Sequence, residues 1–181
     1  MPATPWILLS SRLPREPSRL RLAVWRRLKR LGALLLHDSV WVLPGDAKTR
    51  EAFEWLAEEI EEQGGTALLW EGASLSLEQD ALLVQRFRSE ADDRYAAIAE
   101  SAQAIGRAAL SSRKKAGAER RAQAIRQLRG LERALRLERR RDYFRAPGRP
   151  GAAAIVDAAL RDVEATGAPS GQREVRHAVG H

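Results

Sequence analysis

The spacing of apolar positions changes several times within the first 72 residues, and each change marks a new element. "WILLSSRL" (Trp6–Leu13) is a short apolar run, which predicts a buried strand. In Ser18–Leu31, apolar residues recur every third or fourth position, which is the stripe of an amphipathic helix. Gly32 follows as a helix stop, because glycine accepts the left-handed conformation that ends many helices.

A hairpin and a second helix come next. Ala33–Leu36 and Val40–Leu43 read as two strands joined by an Asp-Ser turn. "DAKTREAFEWLAEEIEEQGG" has a helical apolar face and ends in two glycines, and "TALLWEG" (Thr66–Gly72) is a fourth strand. This β-α-β-β-α-β order predicts an α+β fold with a ferredoxin-like βαββαβ sandwich over residues 5–72.

The first helix is basic on its polar side, whereas the second exposes mainly glutamates. Opposite charges on neighbouring helices attract each other. The run "WRRLKR" is therefore interpreted mainly as the solvated side of a packed helix rather than as a ligand-binding surface. The basic residues that lie away from the apolar stripe are Arg19, Arg26, Lys29 and Arg30.

A long helical extension is predicted over residues 77–165. Leu77–Leu110 and Gly117–Phe144 have helical patterns and are joined by the hinge "SSRKKAG". "APGRPG" breaks the chain before a short helix at Ala152–Ala165. The Gly/Pro/Ser-rich tail, residues 166–181, is predicted to be disordered.

Two faces stand out on the helix at Gly117–Phe144. An apolar seam predicts either an antiparallel helical hairpin or a homodimer contact, and it consists of Ile125, Leu128, Leu131 and Leu135. A second set of residues, here called the arginine stripe, steps by three and four and so shares one helical face. The arginine stripe consists of Arg126, Arg129, Arg133, Arg136 and Arg140.

Charge is concentrated around this helix. The 181-residue chain has a net charge of +7, but residues 113–145 alone hold 13 Lys/Arg against 4 Asp/Glu. Such asymmetry favours a polyanionic partner, most often nucleic acid. The hinge cations Arg113, Lys114 and Lys115 are further candidates for contacts with the DNA backbone.

A purely structural interpretation of the arginine stripe is also open. In that interpretation the stripe is the charged flank of a coiled coil. Three glutamates on the same helix, Glu119, Glu132 and Glu138, would then pair with its arginines. They are too few to neutralise the basic charge, which favours DNA binding.

Several classes of function find no support in the composition. The chain has no cysteine, so disulfides and thiolate metal sites are excluded. No apolar run is long enough for a membrane span, and the N-terminus lacks the pattern of a signal peptide, so we expect a cytoplasmic protein. Scattered histidines and the absence of a phosphate loop or nucleophile motif predict no catalytic residue, metal or cofactor, and hence no enzyme.

Several segments in order carry a family resemblance: "WILLSSRLP", "RLRLAVWRRLKRLGA", "SVWVLP", "FEWLAEEIEEQGG" and "RRRDYFRAPGR". Together they resemble the N-terminal domain of ChrB-type chromate-resistance regulators. More distantly, they are similar to the C-terminal part of PaaX-type repressors, which shares its fold with small CRISPR-adaptation nucleases. Those nucleases hold metal with an aspartate after the first strand, where this chain has "SSRLPRE", so nuclease activity is not expected.

The resemblance implies a DNA-binding transcription regulator that represses a chromate-efflux operon by binding its operator and is released by chromate. Fuller family members continue into a second domain. Chromate is a tetrahedral dianion, for which arginine and hydroxyl groups are suitable partners. Ser10, Ser11 and Arg12 at the end of the first strand are therefore candidate oxyanion ligands. The alternative is a non-enzymatic protein-interaction or dimerisation module without its own DNA specificity.

Overall fold

A computed structural model describes residues 5–14, 18–111 and 117–166. The α+β prediction is confirmed: a four-stranded antiparallel sheet is combined with five helices in the described residues. The elements are β1 (Trp6–Arg12), α1 (Ser18–Leu31), β2 (Leu34–His37), β3 (Val40–Pro44), α2 (Ala47–Glu62), β4 (Thr66–Gly72), α3 (Leu77–Leu110), α4 (Gly117–Arg141) and α5 (Arg149–Ala165).

Most boundaries agree with the sequence pattern, and the differences have local causes. Helix α4 ends at Arg141 instead of Phe144, because the residues that follow turn back and Arg145 has a φ of 53°. Helix α5 begins at Arg149 instead of Ala152, since its early proline is tolerated in a first helical turn. The predicted disordered tail beyond residue 166 and the hinge cations lie outside the described residues.

The strands lie in the order β2-β3-β1-β4, and each neighbouring pair is antiparallel. β1 pairs along its whole length with β4, from Trp6 opposite Gly72 to Arg12 opposite Thr66. Residues directly opposite each other share a face of the sheet, and successive residues alternate between the two faces. The sheet therefore has one face with Ile7 and Leu9 and another with Trp6 and Leu8.

Helices α1 and α2 cover the first of these faces, here called the helix face. Leu9 and Leu43 of the sheet are fully buried there, in one cluster with Phe53 and Ile60 of α2. The start of α2 is fixed by a capping box in which the Asp46 side chain accepts a hydrogen bond from the Thr49 backbone N–H at 2.8 Å. Local caps and apolar burial thus position both helices on the sheet.

The opposite face, here called the second face, is covered in part by the beginning of α3. The Trp6 ring stacks on Phe87 with centroids 5.7 Å apart, and Phe144 lies 5.8 Å from Trp6. Tyr143 meets Phe87 edge-on at 6.2 Å. The Trp6 indole N–H donates to Asp80 at 2.7 Å, so the ring is held at both its apolar and its polar parts.

The end of α1 is the point where the turn after α4 joins the sheet. Gly32, with a φ of 75°, closes α1, and the Ala33 N–H donates back to the Leu28 carbonyl at 3.0 Å. A Cβ at Gly32 would lie 2.8 Å from the Cβ of Arg141, so only glycine lets that side chain approach. Arg141 and Tyr143 then donate to the Lys29 and Leu31 carbonyls, each at 2.7 Å.

Glu138 is the buried carboxylate of this junction, with 1% of its surface exposed. Its oxygens accept hydrogen bonds from the Nε atoms of Arg94 and Arg141, both at 2.7 Å. Arg141 therefore links a buried anion to the free carbonyls at the end of α1. A charge taken out of water is tolerated only when it is paired and hydrogen-bonded in this way.

The chain divides into two compact units. The first, here called the sheet unit, comprises residues 1–94 and 137–147; the second, the helical unit, comprises residues 95–136 and 148–181. In the helical unit, α3, α4 and α5 bury mainly small apolar residues, and a Cβ at Gly106 would lie 3.5 Å from that of Ala159.

We predict that Glu138→Ala lowers the free energy of unfolding by about 3–5 kcal/mol, because Arg141 would lose the carboxylate it pairs with and Arg94 would keep only its longer pair with Glu90. Urea denaturation followed by circular dichroism measures the change. Glu58→Ala, on the exposed side of α2, is the control and should shift stability by less than about 0.5 kcal/mol. Equal effects of the two substitutions would show that the buried pair does not hold the junction.

A second prediction concerns alkaline pH. Burial, assisted by the charge of Asp46 and opposed by that of Arg141, raises the pKa of Tyr143 from 10.0 to about 12. The unfolded chain therefore ionises this phenol first, and the associated stability is present below pH 10 and lost as the pH rises to about 12. Between pH 9 and pH 12, the free energy of unfolding of Tyr143→Phe should therefore fall by about 1–2 kcal/mol less than that of the unsubstituted chain. Unfolding titrations at several pH values measure this difference. An unchanged alkaline profile would contradict the assignment.

Candidate nucleic-acid interface and anion pocket

All five side chains of the arginine stripe are exposed on α4. Arg126, Arg129, Arg133 and Arg136 belong to the helical unit, whereas Arg140 falls in the sheet unit. At about 1.5 Å of rise per residue, the first four span roughly 15 Å of helix. That length corresponds to the axial rise of about four base pairs of duplex DNA.

Intramolecular ion pairs leave most of this charge free. Within the part of the chain that the structure describes, only Arg129 of the stripe forms an ion pair, with Glu164 at 3.4 Å. Both side chains are exposed, and exposed pairs typically contribute about 0–1 kcal/mol. The pair between Arg129 and Glu164 is therefore broken at little cost.

The pairing proposed for a coiled-coil flank is not the one observed for Glu138. That glutamate binds Arg94 and Arg141, neither of which belongs to the stripe. α4 as a whole holds nine arginines and three glutamates. With Glu138 fully engaged elsewhere, the helix has even less negative charge available for the stripe.

The opposite side of α4 explains why the stripe faces outward. Leu128 and Leu135 of the predicted seam are buried, while Ile125 and Leu131 are half-buried. Because apolar burial fixes which side of a helix points inward, residues between the seam positions are turned toward solvent. The seam is thus largely used within the chain itself.

The basic run on α1 has a mixed role. Arg27 pairs with Glu59 of α2, which agrees with the predicted attraction between the two helices. The Lys29 Nζ atom lies 3.2 Å from Oε2 of Glu90 and 5.7 Å from the centroid of the Trp41 ring. Arg26 and Arg30 remain exposed on α1.

A pocket of about 300 Å³ lies in the sheet unit between the end of β1, the side of α1 and the β2-β3 turn. Arg12 and Arg21 bring positive charge to it, and Trp25 and Trp41 form apolar walls. Ser11 and Ser39 add hydroxyl groups, and the Ser11 N–H donates to the Ser39 carbonyl at 3.2 Å, which ties the strand to the turn. Asp38, in the left-handed conformation with a φ of 48°, supplies one opposing carboxylate.

Two of the three oxyanion ligands predicted from the sequence lie in this pocket. Ser11 and Arg12 line the pocket, but Ser10 does not, since it alternates onto the second face opposite Val40 and Leu68. Arg21, which comes from α1, also lines the pocket and was not among the predicted ligands. Its spacing of four from Trp25, a residue of the same pocket, was the signal that could have revealed it.

Two other features bear on function. No group of three or more His, Asp or Glu side chains close enough to hold a metal ion occurs among residues 5–14, 18–111 and 117–166. In the same ranges, no helix combines the length and the apolar character that a membrane crossing requires. The predicted hinge ligands Arg113, Lys114 and Lys115 lie outside the described residues, so their positions stay predictions.

Comparison with known proteins gives a consistent picture. Residues 21–168 match the family model described as "Protein ChrB, N-terminal". The chain is 36% identical to "Protein ChrB" of Cupriavidus metallidurans (strain ATCC 43123 / DSM 2839 / NBRC 102507 / CH34) over an alignment of 64 residues. This alignment covers 35% of the present chain. The matched region spans 20% of the length of that relative. No solved structure shows significant similarity to the chain.

Proposed function

Because the chain belongs to the family of ChrB N-terminal domains, which links it to chromate resistance, we propose that it is a DNA-binding transcription regulator of chromate-resistance genes. It acts by binding rather than by catalysis, in the cytoplasm, and represses transcription from the operator of a chromate-efflux operon. The strand order β2-β3-β1-β4, with α1 and α2 on one face, supports a ferredoxin-like class for the sheet unit.

The observation that carries this proposal is the exposed and mostly unpaired arginine stripe. Guanidinium groups form bidentate contacts with phosphates, and they also recognise guanine in the major groove. Each phosphate contact releases counterions from the DNA, which makes affinity strongly dependent on salt. A helix with nine arginines and three glutamates is suited to this mode of binding.

The alternative is a protein-interaction module that pairs through the apolar seam of α4 and has no DNA specificity of its own. Burial of Leu128 and Leu135 weakens this alternative, since a partner would have to reach side chains that the chain already covers. DNA titrations with the natural upstream region and with random duplexes distinguish the two. An interaction module would bind both duplexes with the same affinity or neither.

We also propose that the pocket between β1, α1 and the β2-β3 turn binds the effector oxyanion, chromate. Two arginines and two serines provide charge-assisted hydrogen bonds of the kind that tetrahedral dianions accept. The nearby Asp38 opposes an anion, so the pocket depends on both arginines to keep its potential positive. The absence of cysteine means that no thiol is present to reduce bound chromate.

The DNA proposal predicts a change in salt dependence. In Arg126→Ala/Arg133→Ala, the slope of log K against log salt should become shallower by about 1–2 units, at about 0.9 per lost phosphate contact. Fluorescence anisotropy with a labelled duplex of the chain's own upstream region, at several salt concentrations, measures this slope. Unfolding free energy should change by less than about 1 kcal/mol, because both side chains are exposed.

A matched double variant controls for the loss of two positive charges. Arg26→Ala/Arg30→Ala removes the same charge from the exposed side of α1. It should leave the slope nearly unchanged. If both double variants flatten the slope equally, α4 is not the interface, and if neither does, the stripe does not contact DNA.

The effector proposal predicts that chromate binds in isothermal titration calorimetry and that sulfate competes, since both are tetrahedral dianions. Arg21→Ala should raise the dissociation constant at least about tenfold, as expected for the loss of a charge-assisted hydrogen bond. Arg19→Ala, an exposed arginine of α1 outside the pocket, is the control. Equal affinities of the two variants would rule out this pocket as the chromate site.

A further inference from the structure

The two edges of the sheet are protected very differently. β2 forms one edge, and it is only four residues long and has a register shift between Leu35 and His37. β4 forms the other edge, with seven residues in continuous register with β1. Short or bulged edge strands resist pairing with other chains, whereas a long regular edge invites it.

The side chains of β4 do not protect this edge. Leu68 and Trp70 lie on the second face and are 61% and 60% exposed. The single charged residue of the strand is Glu71, and Arg50 of the same chain forms a hydrogen-bonded ion pair with it at 2.5 Å. The strand contains no lysine or proline, the residues that commonly block edge pairing.

The exposed apolar surface is concentrated in this region. Of the ten large hydrophobic side chains that are exposed in the described residues, half lie between positions 68 and 82. Those beyond the strand are Leu75, Leu77 and Leu82, with exposures of 98%, 64% and 54%. Exposed apolar side chains grouped this closely along the chain make β4 and the segment after it a candidate interaction surface.

We propose that β4 is the interface of a homodimer, in which two copies pair antiparallel about a two-fold axis at Leu69. This register overlaps all seven residues of Thr66–Gly72. It also sets Leu68 of each copy opposite Trp70 of the other on one face, so that the two exposed side chains cover each other. An aromatic residue paired with an aliphatic one is a stabilising cross-strand combination.

Charge is compatible with this register. Glu71 lies opposite Ala67 of the second copy, and the two Glu71 residues are separated by four residues along the strand, about 14 Å. That separation exceeds the Debye length of about 8 Å at physiological ionic strength, so the two carboxylates repel each other only weakly.

The strand alone is too small for a stable interface. A specific interface buries about 800 Å² per partner, so the leucines beyond the strand are needed to extend the contact. The dimer does not require DNA binding by α4, because the two surfaces share no residue.

The first test is the mass of the full chain in sedimentation velocity between about 1 and 100 µM. The expected species has twice the monomer mass of 20.1 kDa. Leu68→Lys/Trp70→Lys should raise the dimer dissociation constant at least about tenfold, as expected for the loss of a central tryptophan contact. Trp55→Lys on α2 is the matched control, since Trp55 is 61% exposed and lies outside β4.

Single cysteines test the register, because the chain has none of its own. Leu69→Cys should form an intermolecular disulfide under mild oxidation, since residues facing across antiparallel strands have Cα atoms about 4.5–5.5 Å apart. Ala67→Cys, on the same face of the same strand, should not, because its two copies are about 14 Å apart. Both variants retain Leu68 and Trp70, so they decide the question even if the lysine variant fails to fold.

The proposal is overturned if the chain remains monomeric at 100 µM. It is also overturned if the Trp55 and β4 variants dissociate equally, which would point to another dimer surface. Cross-linking of Ala67→Cys as readily as of Leu69→Cys would refute the stated register.

Discussion

The structure depends on a buried ionic contact between the end of α4 and the end of α1. Glu138 is enclosed by the guanidinium groups of Arg94 and Arg141, and Arg141 also donates to the Lys29 carbonyl. One side chain thus satisfies both a buried anion and an otherwise free helix terminus. Gly32 makes this possible, because a larger residue would collide with Arg141. Removal of either arginine would leave a buried carboxylate oxygen of Glu138 without its hydrogen bond, which is costly.

The same junction orders the residues around the sheet. Tyr143 and Phe144, just beyond α4, reach the aromatic cluster with Trp6 and Phe87 on the second face. Trp6 of β1 is buried against this cluster, whereas Leu68 and Trp70 of β4, on the same face, stay exposed. The edge that we propose as a dimer interface is open because β4 is the last strand of the sheet, and its pairing with β1 is regular along its whole length.

Electrostatics divide the chain into charges that hold the fold and charges that remain available. Arg27, Arg94 and Arg141 are engaged with glutamates inside the sheet unit. Arg126, Arg133 and Arg136 project from the helical unit and have no ion pair among the described residues. The residue type is the same in both groups. What differs is whether a carboxylate lies within reach, and this difference is the physical basis for proposing the second group as the DNA-binding surface.

The sequence by itself determined the elements and the exposed side of α4. Ser18–Leu31, Thr66–Gly72 and Leu77–Leu110 have the bounds that periodicity and turn residues predict, because helix stripes and caps depend on residues close in the chain. Only the tertiary structure decided that Glu138 is a buried ion-pair partner, that Arg21 joins Ser11 in one pocket, and that Leu68 and Trp70 stay exposed. Each of these facts depends on what packs against a residue from a distant part of the chain. The apolar pattern of β4 predicts a strand, but it is the same whether another element covers its apolar side chains or leaves them exposed.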